Sequence, residues 1–109
     1  MTRKKWDNRN TQALVRALFA LKNPDQAKRF LRDLLTEAEL IEFGNRWQAA
    51  RMLDRGVSYT AIAEATGLSS RTIARIKRWL TNGMGGYRLM LKNLGRHHAN
   101  SFPAGSGLR

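Results

Sequence analysis

The sequence predicts an all-α domain of about six helices. Apolar residues recur at spacings of three and four along most of the 109-residue chain, whereas the alternating patterns and hairpin turns typical of strands are missing. Capping residues and glycines divide this pattern into separate segments. A chain of 12.4 kDa has the length of one domain, which is enough for one modest core.

Two helices are predicted before residue 35. Asn10 or Thr11 is expected to cap the first, because both side chains can accept a hydrogen bond from a first-turn N–H. Asn23 is expected to cap the second, with Pro24 at the first helical position, where the missing N–H costs nothing. Both helices carry broad apolar faces. These faces either pack within the core of one monomer or meet a second chain.

A long third helix is predicted to begin at a capping box formed by Thr36 and Glu39. Gly56 is expected to end it, because glycine adopts the left-handed conformation at little cost. Two shorter helices follow, and their expected caps are Ser58 and either Ser69 or Ser70. These two helices are expected to end near Thr66 and Leu80.

A last helix is predicted after the glycine-rich loop at 83–86, with apolar residues through Leu94. Residues 11–94 are therefore expected to form the helical domain. Residues 1–10 are expected to be a flexible basic arm. Residues 95–109 are expected to be a disordered tail, because they are rich in glycine, serine and other polar residues.

The charge of the chain is strongly positive and unevenly placed. Lys and Arg number 20 against 8 Asp and Glu, which gives a formal net charge of +12. Residues 1–33 carry +6, residues 34–56 carry −1 and residues 57–96 carry +6. Such an excess attracts polyanions, with nucleic acid as the first partner to consider and an anionic membrane surface as the second.

Composition excludes several classes of protein. The absence of cysteine excludes disulfides, thiolate zinc sites and a cysteine nucleophile. No stretch approaches the ~18–20 apolar residues that cross a bilayer, and the N-terminus lacks the apolar segment of a secretory signal, so a cytoplasmic protein is expected. His97 and His98 have no acidic neighbours at metal-binding spacing and are expected to be a solvated pair. We therefore expect neither an enzyme nor a metal or cofactor site.

Residues 59–80 match the layout of a helix-turn-helix. Gly67 supplies the positive φ that the sharp turn requires, and Ala63 is the small residue where the two helices approach most closely. The second helix has no acidic residue. The same pattern also fits an ordinary helical hairpin whose arginine side chains are simply solvated. The inward positions are expected to be Ile62, Leu68, Ile73 and Ile76.

Three segments resemble the YerC/YecD group of Trp repressor-like proteins. They are GVSYTAIAEATGLSSRTIARIKRWL at 56–80, GMGGY at 83–87 and NRWQAARML at 45–53. The likeness covers roughly residues 14–94 and is strongest over 45–87. It implies an all-helical, intertwined homodimer in which the N-terminal helices of two chains interlock, with double-stranded DNA as the partner.

The resemblance also implies which residues meet DNA. The second helix of the motif is expected to enter the major groove with its N-terminal residues at the base edges. The expected base readers are Ser70, Arg71, Thr72 and Ala74, the last within reach of a thymine methyl. The expected phosphate contacts are Thr60, Ser69, Arg75, Lys77 and Arg78.

Free tryptophan is the co-repressor of the Trp repressor itself, and this chain retains only part of the corresponding pocket. Thr36, Arg46 and Arg75 match positions that hold the ligand. That pocket also needs a Gly and a Ser where this chain has the bulkier Ile76 and Trp79. We therefore expect no binding of free tryptophan in that way. Either the Trp79 indole occupies the space, or the two arginines serve only as surface or phosphate-binding cations.

The leading hypothesis is a dimeric, sequence-specific DNA-binding regulator, more specifically a repressor. The main competing hypothesis is a nonspecific nucleic-acid-binding protein, and it rests on the net charge alone. Two further hypotheses are a tryptophan-responsive repressor and a helical module that binds a protein partner.

Overall fold

The computed structural model describes the backbone of residues 4–101 and the side chains of residues 4–95. Within the described backbone the chain forms six helices and no strand, which confirms the predicted fold class. The helices are α1 (Arg9–Phe19), α2 (Pro24–Leu34), α3 (Glu37–Asp54), α4 (Tyr59–Thr66), α5 (Ser70–Asn82) and α6 (Gly86–Ser101).

Side-chain caps set the starts of α1, α2, α4 and α5, as well as that of α3. The predicted caps Asn23 and Ser58 accept hydrogen bonds from backbone N–H groups three residues on, at 2.9 and 3.1 Å. Of the two serines predicted as alternatives for α5, Ser69 is the cap and accepts from the N–H of Thr72 at 3.1 Å. The predicted cap of α1 at Asn10 or Thr11 is wrong. Asn8 caps that helix, because its backbone is extended and its Oδ1 accepts from the N–H of Thr11 at 2.9 Å.

The capping box of α3 is confirmed in both directions. The N–H of Thr36 donates to Oε1 of Glu39 at 2.9 Å, and the N–H of Glu39 donates to Oγ1 of Thr36 at 3.1 Å. Two backbone donors at the start of α3 are thereby satisfied.

Two helices end later than the sequence predicts. The α5 helix continues two residues past Leu80, and the N–H of Gly83 then closes it by donating to the carbonyl of Trp79 at 3.0 Å. The α6 helix continues past Gly95 to Ser101. A glycine inside a helix costs only about 1 kcal/mol relative to alanine, and the next proline in the sequence is Pro103. Residues 1–3 of the predicted arm and 102–109 of the predicted tail lie outside the described residues.

The chain divides into two compact units, Met1–Ile41 and Glu42–Arg109. In the described part of the first unit, no side chain of α1 or α2 is fully buried. Large apolar side chains are instead exposed along it, namely Trp6, Leu14, Val15, Leu18, Phe19, Leu34 and Ile41. By itself this unit therefore has amphipathic helices but no closed core.

The second unit contains the core. Ile62, Ile73 and Ile76 are its largest fully buried side chains, at 0–1% exposure. The remaining core residues are Ala49, Ala50, Leu53, Leu68 and Leu80. All four inward positions predicted for the helix-turn-helix are therefore buried, and Ala63 packs against the same core. Burying one isoleucine side chain contributes about 1.5–3 kcal/mol, so this cluster is the main source of the unit's stability.

The turn between α4 and α5 is closed by Thr66 and Gly67. The buried Oγ1 of Thr66 donates to the carbonyl of Ile62 at 2.8 Å and accepts from the N–H of Leu68 at 3.2 Å. Gly67 has a φ of 76°, in the left-handed region, and its N–H donates to the carbonyl of Ala63 at 2.8 Å. The glycine expected at this turn is therefore required by the backbone.

Replacing Gly67 with alanine is expected to lower the free energy of unfolding by about 1–2 kcal/mol, because an L-residue is strained at this φ. The matched control is Gly44→Ala in the exposed interior of α3, where an added Cβ meets nothing within 4 Å. That change is expected to raise the free energy of unfolding by about 1 kcal/mol. Urea denaturation of both variants gives the two values. Equal shifts of the same sign would contradict the assignment of strain to Gly67.

Candidate nucleic-acid interface

The outer face of α5 is strongly cationic. Arg71, Arg75 and Arg78 are exposed and lie at spacings of four and three, so their side chains share one face of the helix. Ile73 and Ile76 lie on the opposite face, within the core. The helix has no acidic residue. Burial of the apolar face thus turns three guanidinium groups outward together.

These three arginines are open to an external anion. Among the residues whose side chains the structure describes, none of them forms an ion pair with a carboxylate. A guanidinium presents planar donors that match phosphate oxygens and the acceptor edge of guanine. The face can therefore bind both the backbone and the base edges of a nucleic acid.

The N-terminal end of α5 is held by a pair of hydroxyl groups. Oγ of Ser69 accepts from the N–H of Thr72 at 3.1 Å and donates to Oγ1 of Thr72 at 3.1 Å. Among the predicted base readers, Ser70, Arg71 and Ala74 are exposed, whereas Thr72 is half-buried. Thr72 consequently has less freedom to reach a base edge than its neighbours.

The predicted phosphate contacts are all exposed, on α4, on α5 or in the turn between them: Thr60, Ser69, Arg75, Lys77 and Arg78. Thr60 lies in the first turn of α4 beside Tyr59, an aromatic side chain that is 40% exposed. Tyr59 is not among the residues predicted from the sequence, where its position next to Thr60 was the available signal.

The structure gives the positions that match the tryptophan pocket separate roles. The Thr36 hydroxyl is used in the capping box of α3. The Nε of Arg46 donates to Oε2 of Glu42 at 3.1 Å, and its guanidinium lies 5.5 Å from the centre of the Phe43 ring. The positions on α5 differ from one another: Arg75 is exposed, Ile76 is a core residue with 1% exposure, and Trp79 is 45% exposed.

Trp79 lines an open apolar cleft of about 410 Å³ in the second unit. The rings of Trp47 and Tyr87 stack beside it, with centroids 6.3 Å apart and planes inclined by 13°. The other lining residues are Gly83, Met84, Gly86 and Met90. Ile76 is not among them. The two bulky residues that replace the Gly and Ser of the co-repressor pocket therefore point to different places.

Arg88 makes two contacts that sequence reasoning missed. Its Nε donates to the carbonyl of Leu80, in the last turn of α5, at 3.1 Å. Its Nη1 donates to Oδ1 of Asp54, the last residue of α3, at 3.2 Å. The partners are 8 and 34 residues away along the chain, so no local pattern marks this residue.

Other classes of site find no support in the described part of the chain. Over those residues, no group of three or more His, Cys, Asp or Glu side chains is placed to hold a metal ion. The side chains of His97 and His98 lie outside the described ones. None of the helices, as far as they are described, is long and apolar enough to cross a membrane.

Comparison with known proteins gives consistent matches. A family model described as Trp repressor protein matches residues 9–95. The uncharacterised protein YerC of Bacillus subtilis (strain 168) is 37% identical over 78 residues, which cover 72% of this chain and 75% of YerC. These matches confirm the resemblance inferred from the three sequence segments.

Two solved structures share the fold. A TrpR-like protein from Eubacterium eligens ATCC 27750 has a TM-score of 0.78 at 35% identity, with 84% of this chain and 94% of that chain covered. A candidate Trp repressor from Staphylococcus aureus also has a TM-score of 0.78, at 30% identity, with 87% of this chain and 95% of that chain covered. The all-helical architecture is therefore common to experimentally solved relatives.

The surroundings of Tyr87 lead to a prediction about its ionisation. Burial raises the pKa of the Tyr87 hydroxyl above its usual value of about 10, and the positive charge of Arg46 only partly opposes this effect.

The chain has 2 tyrosines, so Tyr59→Phe leaves Tyr87 as the only one. Ultraviolet titration of that variant is expected to show tyrosinate forming with a midpoint above 10. The folded state thus keeps this proton longer than the unfolded state, and stability falls as the pH rises past about 10. A midpoint at or below that value in the folded protein would contradict the buried setting of Tyr87.

Proposed function

Since the chain belongs to the Trp repressor family, we propose that it is a homodimeric, sequence-specific transcriptional repressor. The family is one of DNA-binding regulators rather than of enzymes. The observation that carries the proposal is the outer face of α5, where Arg71, Arg75 and Arg78 face solvent directly opposite the buried isoleucines. We place the protein in the cytoplasm, with the chromosome as its target.

In the proposed complex α5 lies in the major groove, which is about 12 Å wide and admits one helix. Ser70 and Arg71, at the N-terminal end of α5, read base edges, and Ala74 contacts a thymine methyl. Thr72 takes a smaller part, because its side chain is half-buried and its Oγ1 already accepts a hydrogen bond from the Ser69 hydroxyl. A bidentate arginine–guanine contact discriminates between bases by about 1–3 kcal/mol, so Arg71 supplies much of the specificity.

Phosphate contacts supply affinity and register. We assign them to the exposed side chains of Thr60, Ser69, Arg75, Lys77 and Arg78. To donate to a phosphate, the Ser69 hydroxyl turns away from Oγ1 of Thr72, to which it donates in the free protein. Each phosphate that a cation neutralises adds about 0.9 to the slope of log affinity against log salt concentration. The remaining positive charge of the chain steers it toward DNA without selecting a sequence. That nonspecific attraction is also what the competing function, a general nucleic-acid binder, rests on.

A second copy of the chain is proposed to cover the apolar faces of the first unit. Phe19 is 87% exposed, and the described side chains of α1 and α2 include no fully buried one. Large exposed apolar patches are rare on soluble monomers and mark sites of association. A two-fold dimer presents two α5 helices, so its operator is expected to be two-fold symmetric, with half-sites about 34–36 Å apart.

Free tryptophan is not the proposed effector. Ile76 occupies the core and Trp79 carries an indole of its own at the second altered position. Arg46 is already paired with Glu42. The charged residues that match the co-repressor pocket are thus retained without the small residues that leave room for the ligand.

Selection of bound duplexes from a random DNA pool tests sequence specificity. The full-length protein is expected to enrich a symmetric motif. The Arg71→Ala variant is expected to lose about 1–3 kcal/mol of preference at one base pair of each half-site, since one bidentate contact is removed. A pool that stays random after selection by the unmodified protein would contradict specific binding and favour a nonspecific nucleic-acid binder.

The matched control for Arg71→Ala is Lys77→Ala, which removes a cation from the same helix. It is expected to weaken binding to all sequences about equally and to lower the salt slope by about 1 for each protomer. Fluorescence anisotropy at several salt concentrations measures both quantities. The assignment of roles fails if Lys77→Ala changes the selected motif while Arg71→Ala leaves it intact.

The oligomeric state is tested by Leu14→Gln combined with Leu18→Gln, two exposed leucines one turn apart on α1. The unmodified protein is expected to sediment at twice the 12.4 kDa chain mass. The dimer of the double variant is expected to have a larger dissociation constant, because less apolar area is covered. Arg16→Gln, between the two leucines, is the control and is expected to leave the dimer intact. An unmodified chain that sediments as a monomer at all concentrations would rule the dimer out.

A further inference from the structure

We infer that Arg88 is a positioning residue for DNA recognition: it fixes the direction of α5 by holding the C-terminal end of that helix to the C-terminal end of α3. The inference rests on the proposed function, because it concerns how accurately α5 meets the bases. It assigns a role to a residue that lies outside the helix-turn-helix.

The contacts of Arg88 join three helices through one planar group. Its Nε donates to the carbonyl of Leu80 at 3.1 Å, and its Nη1 donates to Oδ1 of Asp54 at 3.2 Å. The last four carbonyls of a helix have no partner within it and carry the negative end of the helix dipole. A guanidinium at the Leu80 carbonyl therefore forms a charge-assisted, directional bond at the end of α5.

Apolar packing alone leaves the direction of α5 less well determined. The contacts of Ile73, Ile76 and Leu80 set how deep the helix sits in the core, but the hydrophobic effect has no preferred direction. The bonds of Arg88 do have one, since hydrogen bonds weaken steeply when their angle departs from linearity. The two bonds of Arg88, to the Leu80 carbonyl and to Asp54, therefore orient α5, and we call them the clamp.

Small changes of direction are amplified at the other end of the helix. Ser70 and Leu80 are ten residues apart, so the base-reading end lies roughly 15 Å from the clamp at 1.5 Å per residue. A tilt of about 4° about the Leu80 end then moves the N-terminal residues by about 1 Å, which is enough to take a base contact out of hydrogen-bond range.

Stability is not the main quantity that the clamp controls. The Arg88 and Asp54 side chains are 57% and 39% exposed, and ion pairs in such positions contribute little to stability. Loss of the clamp is therefore expected to reduce discrimination between DNA sequences while most of the fold is kept. A residue that acted only as a phosphate contact would instead change affinity for all sequences alike.

The test uses the full-length protein, its selected operator and a scrambled duplex of equal length. The measured quantity is the dissociation constant for the scrambled duplex divided by that for the operator, at one salt concentration. A high ratio means strong discrimination. Arg88→Lys keeps the charge but cannot hold both partners with a planar fork. It is expected to lower the ratio about 3- to 30-fold, mostly by weakening operator binding.

Two further variants separate positioning from charge. Asp54→Asn is expected to lower the ratio in the same direction by a smaller factor, and to add little when combined with Arg88→Lys, because both changes break one clamp. The control is Lys92→Gln, which removes a cation from the same helix as Arg88. It is expected to weaken binding to both duplexes equally and to leave the ratio unchanged. If Arg88→Lys does not fold at the assay temperature, Asp54→Asn, which keeps the bond to Leu80, carries the test.

The outcomes distinguish this inference from the proposed function. If the unmodified protein has a ratio near one, specific DNA recognition fails and the inference fails with it. If the unmodified protein discriminates and neither Arg88→Lys nor Asp54→Asn lowers the ratio, only the positioning role is overturned. An equal loss of affinity for both duplexes in Arg88→Lys would likewise overturn it.

Discussion

Burial of the inner face of α5 is the interaction on which the rest of the site depends. Ile73 and Ile76 are 0% and 1% exposed within a core shared with α3 and α4. Because a helix turns by about 100° per residue, fixing its inner face also fixes its outer one. Arg71, Arg75 and Arg78 therefore need no contacts of their own to point outward together. Apolar packing, which has no preference for any DNA sequence, thus presents both the proposed base reader Arg71 and the proposed phosphate contacts Arg75 and Arg78.

The two units of the chain differ in whether they bury an apolar core. The second unit closes a core and exposes a charged helix, whereas the described part of the first unit exposes apolar side chains and closes no core. Large exposed apolar patches are rare on soluble monomers and commonly mark sites of association. The proposed homodimer covers these side chains, and it also supplies the second reading helix that a two-fold operator requires.

Features governed by local physics could be predicted from the sequence. The capping box at Thr36, the cap at Ser58 and the positive φ of Gly67 each depend on a few neighbouring residues, and all three are confirmed. The predicted cap of α1 is wrong, because Asn8, Asn10 and Thr11 compete within four positions and local preference does not choose among them. Arg88 could not be predicted, since its carboxylate partner is 34 residues away. For the same reason the stacking of Trp47 on Tyr87 required the tertiary structure.

Methylation interference on the selected operator tests most directly whether α5 reads bases in the major groove. Methylation at guanine N7 places a methyl group in the major groove at the acceptor that a recognition arginine uses. We predict interference at a few guanines in two clusters, about one helical turn apart and related by two-fold symmetry. Binding that is insensitive to guanine methylation across the whole operator would show that α5 does not read guanines in the major groove.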